Sequence, residues 1–111
     1  MAAEIPRSLR PALDGYAARL RARFGERLRD VRLFGSFARG EAGPRSDVDV
    51  LVVVDGLTDA EIGDAAGEAA PVIVETGVPL APVAMSTSRL ERLREEERSF
   101  ARALDTEGIS V

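Results

Sequence analysis

The amino-acid sequence predicts a small α/β domain, a mixed β-sheet flanked by α-helices. Short apolar runs alternate along the chain with segments of helical periodicity, the usual pattern of such domains. One of these runs, Val50 to Val54, is apolar without alternation, as expected of a strand buried on both faces. With 111 residues, 45% of them hydrophobic, we expect a single domain over residues 1–111.

The first half of the chain contains one long helix and two strands. Apolar residues at helical spacing predict a helix from Ser8 to Phe24, which Gly25 ends. A short strand is expected from Val31 to Phe34, and a helical turn with a following loop comes next. The segment Asp47 to Val54 is then predicted as the central strand of the sheet.

The second half begins with a capping signal. Thr58, with Glu61 three residues later, is the pattern of a capping box, and helical periodicity continues to about Thr76. Pro71 predicts a kink in this helix, because proline removes a hydrogen bond and crowds the preceding turn. In the alternative interpretation the helix ends earlier and Val72 to Val74 forms a strand.

Three further elements complete the prediction. A third strand is expected from Val78 to Met85, and its prolines indicate an irregular or edge position. A helix from Ser86 to Leu104 follows, and Gly108 to Val111 is expected as a terminal strand.

Composition excludes several classes of protein and site. The chain has no cysteine and no histidine, which excludes disulfide scaffolds, thiol nucleophiles, thiolate zinc sites and histidine general bases. No apolar run is long enough for a membrane span, and the segment Met1 to Arg10 lacks the apolar core of a signal peptide. We therefore expect a cytoplasmic protein without membrane contact.

Charge is distributed unevenly along the chain, whose formal net charge is -4. All basic residues are arginine, and the segment Tyr16 to Arg32 is basic whereas the rest of the chain is acidic. A basic segment without lysine-rich tails or interleaved aromatic residues is weak evidence for nucleic-acid binding. The pattern favours a solvated helix face or a protein-partner surface, and nucleic acid is an unlikely partner.

Two carboxylates at the start of the central strand are the main candidate site. Asp47 and Asp49 are two residues apart, so on a strand they project from one face with α-carbons ~7 Å apart. At ~5 Å separation two such anions repel by roughly 3 kcal/mol at an effective dielectric near 20, unless a cation lies between them. Oxygen ligands favour Mg²⁺ or Mn²⁺. The alternative is a pair of aspartates merely exposed to water.

A Gly-Ser pair precedes these aspartates at a characteristic distance. Gly35-Ser36, ten intervening residues and then Asp47-x-Asp49 resemble the signature of the nucleotidyltransferase superfamily, whose members share the DNA polymerase beta-like fold. The chain is most similar to the minimal nucleotidyltransferases, small proteins often paired with a HEPN-domain partner. This resemblance implies the nucleotidyltransferase fold and a nucleotidyltransferase domain over residues 1–111.

The resemblance also implies roles for individual residues. Asp47 and Asp49 would be the catalytic, metal-binding pair, while Gly35 and Ser36 would contact the nucleotide phosphates. Arg39 could neutralise those phosphates as a forked donor, or it could instead form a salt bridge with a neighbouring acid such as Glu41.

One feature of the family is missing. Active members carry a third carboxylate on a later strand, and here the matching segment, Val78 to Met85, contains no acid. Glu68 and Glu75 are the nearest acids in the sequence, and they could reach the site only if the strand is assigned wrongly.

The function that the resemblance implies is magnesium-dependent transfer of a nucleoside monophosphate from ATP or another NTP to a hydroxyl. The resemblance implies a protein acceptor, AMP as the transferred group and a HEPN toxin as the partner, although a small-molecule acceptor is also compatible. The alternative is an antitoxin that neutralises a HEPN ribonuclease by binding after loss of the third acid. A nucleotide-sensing regulator is a weaker interpretation.

Overall fold

The fold is built on a mixed sheet of four strands in the described part of the chain, which comprises residues 5–40, 46–96 and 108–111 of a computed structural model. The strands are β1 (Leu28–Phe34), β2 (Val48–Val54), β3 (Leu80–Ser86) and β4 (Ile109–Ser110). Their spatial order is β3-β2-β1-β4. β1 runs antiparallel to β2 and β4, whereas β3 runs parallel to β2. The predicted α/β class with a mixed sheet is confirmed.

Helices cover the sheet on both faces. They are α1 (Arg10–Phe24), α2 (Gly35–Arg39), α3 (Asp59–Gly67), α4 (Ala69–Thr76) and α5 (Thr87–Glu96). Single 3₁₀ turns, Arg7–Leu9 and Gly25–Arg27, flank α1. Among the helices within the described ranges, none has both the length and the apolar content needed to cross a bilayer.

The central strand separates two apolar clusters. Because side chains alternate along a strand, Val48, Val50, Val52 and Val54 point to one face of β2, where they join the core formed with α1, α3 and α4. Leu51 and Val53 point to the other face and pack against Leu90 of α5. The prediction that this strand is central and buried on both faces is confirmed.

Tyr16 connects α1 to α3 within the main core. Its side chain is fully buried, and its hydroxyl donates a hydrogen bond of 2.7 Å to the carbonyl of Ala65. Burial, and to a lesser degree the nearby charge of Glu68, raises the pKa of Tyr16. The chain's single tyrosine is therefore a neutral structural donor.

The predicted helix through Pro71 is divided in two. α3 ends at Gly67 and α4 starts at Ala69, so the break precedes the expected kink. Because α4 starts at Ala69, Pro71 lies in the first turn of this helix. Residues of the first turn have no intrahelical acceptor for their N–H, so a proline there removes no helical hydrogen bond. The alternative strand over Val72 to Val74 is wrong, because these residues belong to α4.

The strand boundaries also differ from the prediction. β1 starts three residues earlier than expected, at Leu28, since the polar sequence around Asp30 pairs with β2 across a bulge. β2 starts at Val48, whose N–H donates to the carbonyl of Pro79 at 2.9 Å, so Asp47 lies just before the strand. β3 runs from Leu80 to Ser86 at one edge of the sheet, the position that its prolines predict.

The remaining predicted elements agree with the structure where they fall within it. The turn beginning at Gly35 is α2, and the terminal strand is present as β4. The predicted continuation of the last helix over residues 97–104 lies outside the described residues.

The basic segment of α1 and β1 is paired with the acidic later part of the chain. Arg19 and Arg23 lie 3.5 and 3.4 Å from the carboxylate of Glu68, and Arg27 lies 2.8 Å from that of Glu61. Exposed ion pairs contribute at most ~1 kcal/mol each. The uneven charge of the sequence is thus balanced in part within the fold.

Candidate active site

The predicted Gly-Ser turn and the aspartates meet at one end of the sheet. Phe34, the last residue of β1, pairs with Asp49 near the start of β2, and α2 begins at the next residue, Gly35. β3 starts at the same end, where Ala81 is the register partner of Asp49. The site is therefore formed where β1 ends and where β2 and β3 begin.

Gly35 lies directly against the carboxylate of Asp49. Its backbone has φ +74°, a conformation that favours glycine. A Cβ at this position would overlap Oδ2 of Asp49 and would lie 3.1 Å from Cγ. The structure thus gives two reasons for glycine at this position, the positive φ and the space that the Asp49 side chain occupies.

The two aspartates enter this site from different surroundings. Asp49 is partly buried on β2, whereas Asp47 is exposed in the segment just before the strand. Strand alternation places Asp49 on the same face as Leu51, the face that α5 covers further along the sheet. The predicted strand position is thus correct for Asp49 and wrong by one residue for Asp47.

The donor set of this end suits a hard divalent cation. Mg²⁺ prefers oxygen ligands and is commonly held by one or two carboxylates together with substrate phosphates. Asp47 and Asp49 provide such carboxylates beside a backbone that a phosphate group can approach at Gly35. Within the described ranges, no three acidic residues are grouped so that they could hold a metal ion by themselves.

The two acids considered as a third carboxylate lie elsewhere. Glu68, at the junction of α3 and α4, is tied to Arg19 and Arg23 of α1. Glu75 is exposed on α4, a helix that packs against the face of the sheet opposite to Asp49. The strand that would carry the third carboxylate has Ala81 beside Asp49.

The other predicted nucleotide-binding residues are located by their backbone. Ser36 and Arg39 both belong to α2, the short helix that follows β1. Their side chains fall outside the described part of the structure, as does residue 41, the alternative partner of Arg39. The backbone of α2 thus carries both residues after Gly35, and their contacts with phosphate stay a prediction.

A second group of charged residues, at the opposite end of β2, was not identified from the sequence. Asp55 follows the last residue of β2 and accepts hydrogen bonds from Thr87 and Arg29. Both hydrogen bonds lower the pKa of Asp55, and the one from Thr87 has the larger effect. Only the capping box of Thr58 and Glu61 gave a signal for this region in the sequence.

Arg27 forms hydrogen bonds at the same end of the sheet. Its guanidinium donates to both carboxylate oxygens of Glu61, at 2.8 and 2.9 Å, and to the carbonyls of Asp55 and Gly56. The hydrogen bonds from Arg27, with those from Thr58, lower the pKa of Glu61 to about 2. Arginines and hydroxyls of the chain itself bind these carboxylates. We therefore interpret the charged residues at this end of the sheet as contacts that stabilise the fold.

A comparison against protein families identifies the domain. The nucleotidyltransferase domain model matches residues 13–103, most of the chain. The chain belongs to the nucleotidyltransferase domain family. The fold and family that the Gly-Ser and Asp-x-Asp motif implied are therefore confirmed.

Two archaeal relatives are similar over shorter stretches. The putative protein adenylyltransferase MJ1305 of Methanocaldococcus jannaschii is 42% identical over 50 residues, which cover 45% of this chain and 34% of that protein. Protein adenylyltransferase MntA of Thermococcus cleftensis is 50% identical over 40 residues, 36% of this chain and 38% of that protein. The matches thus span well under half the length of these relatives.

Solved structures share the fold at low sequence identity. A toxin-antitoxin crystallised with AMP-PNP has a TM-score of 0.55 at 20% identity, covering 86% of this chain and 68% of its own. A putative nucleotidyltransferase from Sulfolobus solfataricus has a TM-score of 0.50 at 17% identity, covering 96% and 87%. A mutant of the toxin-antitoxin MntA-HpeT has a TM-score of 0.54 at 19% identity, covering 88% and 70%.

Proposed function

We propose that this protein binds ATP with Mg²⁺ at the end of the sheet where β1 meets β2, and transfers AMP to a hydroxyl on a toxin partner. The observation that carries the proposal is the packing of the Asp49 carboxylate against the bare backbone of Gly35. Support for the transferred group comes from relatives named protein adenylyltransferases, and support for the partner from structural neighbours that are toxin-antitoxin complexes.

Each residue of the site has a defined task in this proposal. Asp47 and Asp49 hold the divalent cation, which neutralises phosphate charge when bound. Gly35 lets the triphosphate approach the backbone, while Ser36 and Arg39 provide donors to its oxygens. Cytoplasmic ATP is the donor, and a HEPN-domain ribonuclease is the partner class that the motif implies.

The transfer is a substitution at the α-phosphorus of ATP. The acceptor oxygen forms a new bond to this phosphorus as the bond to the β-phosphate oxygen breaks, and pyrophosphate leaves with the electron pair. The proton of the acceptor hydroxyl passes to solvent or to a base of the partner. On β3 the residue beside Asp49 is Ala81, and in this proposal the described residues of the site bind and orient ATP.

A direct test is to incubate the protein with isotopically labelled ATP and Mg²⁺, with and without the product of the neighbouring gene. Intact mass spectrometry should show one or more AMP units added to the partner. Asp49→Ala should abolish the addition, whereas Asp59→Ala, which removes an exposed carboxylate at the start of α3, should leave it intact. Absence of added AMP on the partner in the presence of the wild-type protein would contradict the proposal.

The second candidate is an antitoxin that acts by binding alone. The observation that favours it is the presence of Ala81 at the strand position beside Asp49. In this case the partner would be neutralised without a gain in mass, and neutralisation would survive Asp49→Ala. The two candidates therefore give opposite results in one experiment.

A further inference from the structure

The strand beside Asp49 presents no charged side chain to the site. Ala81 is the register partner of Asp49, and Val83 and Met85 follow on the same face of β3. Over residues 5–40, 46–96 and 108–111, no cluster of three acidic residues is available to hold metal ions. The described ligand set at this end of the sheet is thus limited to Asp47 and Asp49.

The number of carboxylates limits the number of cations. In sites with two metal ions the ions lie ~4 Å apart and clamp the attacking and leaving oxygens. Two divalent cations repel each other four times as strongly as two unit charges at the same distance, so such sites need carboxylates around both ions. A single Mg²⁺, in contrast, is satisfied by one or two carboxylates, the substrate phosphates and water.

From this ligand set we infer that the site holds one divalent cation together with the nucleotide, and that Ala81 is the residue that sets this number. The inference rests on the proposed function, because it takes the end of the sheet at Gly35 and Asp49 to be the nucleotide site. The inference goes beyond the proposed function in two respects. It assigns the number of metal ions per complex, and it names the strand position that determines this number.

Position 81 is the place where a further carboxylate would have its effect. Neighbouring strands of a sheet are ~4.8 Å apart, so the residue paired with Asp49 has its side chain directly beside that carboxylate. Ala81 is only partly buried, which leaves room for a larger side chain. Val83 is two residues further along the same face, beside Leu51, and is 45% exposed.

Native mass spectrometry of the protein with Mn²⁺ and α,β-methylene-ATP, in which a methylene bridge replaces the oxygen of the bond that the transfer would break, can count the ions directly. We expect one Mn²⁺ in each wild-type complex that contains nucleotide. Ala81→Asp should raise the count to two, whereas Val83→Asp adds the same charge to the same strand away from Asp49 and should leave it at one. Nucleotide-free protein provides the blank for adventitious Mn²⁺.

The outcomes separate this inference from the proposed function. Two ions in the wild-type complex, or one ion in a folded Ala81→Asp complex, would overturn the inference and leave nucleotide binding intact. Absence of any complex with α,β-methylene-ATP would instead overturn the proposed function. If Ala81→Asp does not fold, Ala81→Glu replaces it and the wild-type count remains decisive.

Discussion

The two ends of β2 both carry acidic residues, but their surroundings differ. At the end where the strand stops, Asp55 is held by Arg29 and Thr87, and Glu61 is held by Arg27. At the end where the strand starts, Asp49 lies against Gly35 and Asp47 is exposed. At the first end the carboxylates are bound by arginine side chains, while at the second end the Asp49 carboxylate packs against the backbone of Gly35.

This difference distinguishes acids that arginines of the chain bind from an acid that packs against a glycine, for which we propose a role in ligand binding. A carboxylate bound by an arginine and a hydroxyl has its charge balanced by the chain itself. A carboxylate packed against a glycine lies next to backbone that carries no side chain, and its oxygens are ligands that Mg²⁺ prefers. The same residue type therefore has a structural task at one end of the strand and a proposed chemical task at the other.

The largest effect should come from filling the space at Gly35. Gly35→Ala places a Cβ at φ +74°, which costs about 1–2 kcal/mol, and in addition forces it against Asp49. We expect urea unfolding to show a loss that exceeds that of Gly77→Ala by about 1–3 kcal/mol. Gly77 is the matched control, because its φ is +72° and nothing lies within 4 Å of its added Cβ.

A further variant isolates the contact itself. In an Asp49→Ala background the overlap with Oδ2 is absent, so the excess cost of Gly35→Ala over Gly77→Ala should largely disappear. An excess that is unchanged in this background would show that the cost at Gly35 has another origin than the carboxylate.

A smaller effect is expected at the opposite end of the sheet. Arg27→Ala removes the donors to Glu61 and to two carbonyls, so Tm should fall by a few degrees while ATP binding is retained. Arg21→Ala, at an exposed position of α1, is the control and should change Tm little. Loss of ATP binding in Arg27→Ala would contradict the separation of the two ends.

The Arg27 effect should also depend on pH with a definite sign. The pKa of Glu61 is lowered from 4.5 to about 2 in the folded protein, so its stabilising contribution is complete above pH 4.5 and is lost as the pH falls toward 2. The Tm difference between wild type and Arg27→Ala should therefore be full at neutral pH and shrink in acid. A difference that grows on acidification would contradict this assignment.

Much of the fold could be predicted from the sequence because its signals are local. The apolar run of β2, the capping box at Thr58 and the prolines of β3 each act within a few residues. The early start of β1 could not be predicted in this way, since Leu28 and Asp30 are fixed by pairing with β2 across a bulge. Pro71 predicted a kink, whereas the structure has two helices that divide before the proline, so that Pro71 lies in the first turn of α4.

The sequence predicted which residues form the candidate site, but it predicted their spatial arrangement only in part. The motif identified Gly35 and Asp49 by their spacing, but their mutual contact depends on β1 and β2 being neighbours. The pairing of Asp55 with Arg29 and Thr87 had no signal, because these residues come from three separate elements. Long-range partners of charged side chains are set by topology, which local patterns do not encode.

The central claim, that ligand binding resides at the start of β2 and structural support at its end, can be tested by thermal unfolding with and without Mg²⁺ and ATP. Stabilisation by a ligand reaches about 2.7 kcal/mol at a hundredfold excess over Kd. We predict that Asp49→Asn loses this stabilisation by ligand. Asp55→Asn should lower the Tm of the ligand-free protein but should still be stabilised by Mg²⁺ and ATP. The reverse pattern, with Asp49→Asn stabilised like wild type and Asp55→Asn unresponsive to ligand, would contradict the account.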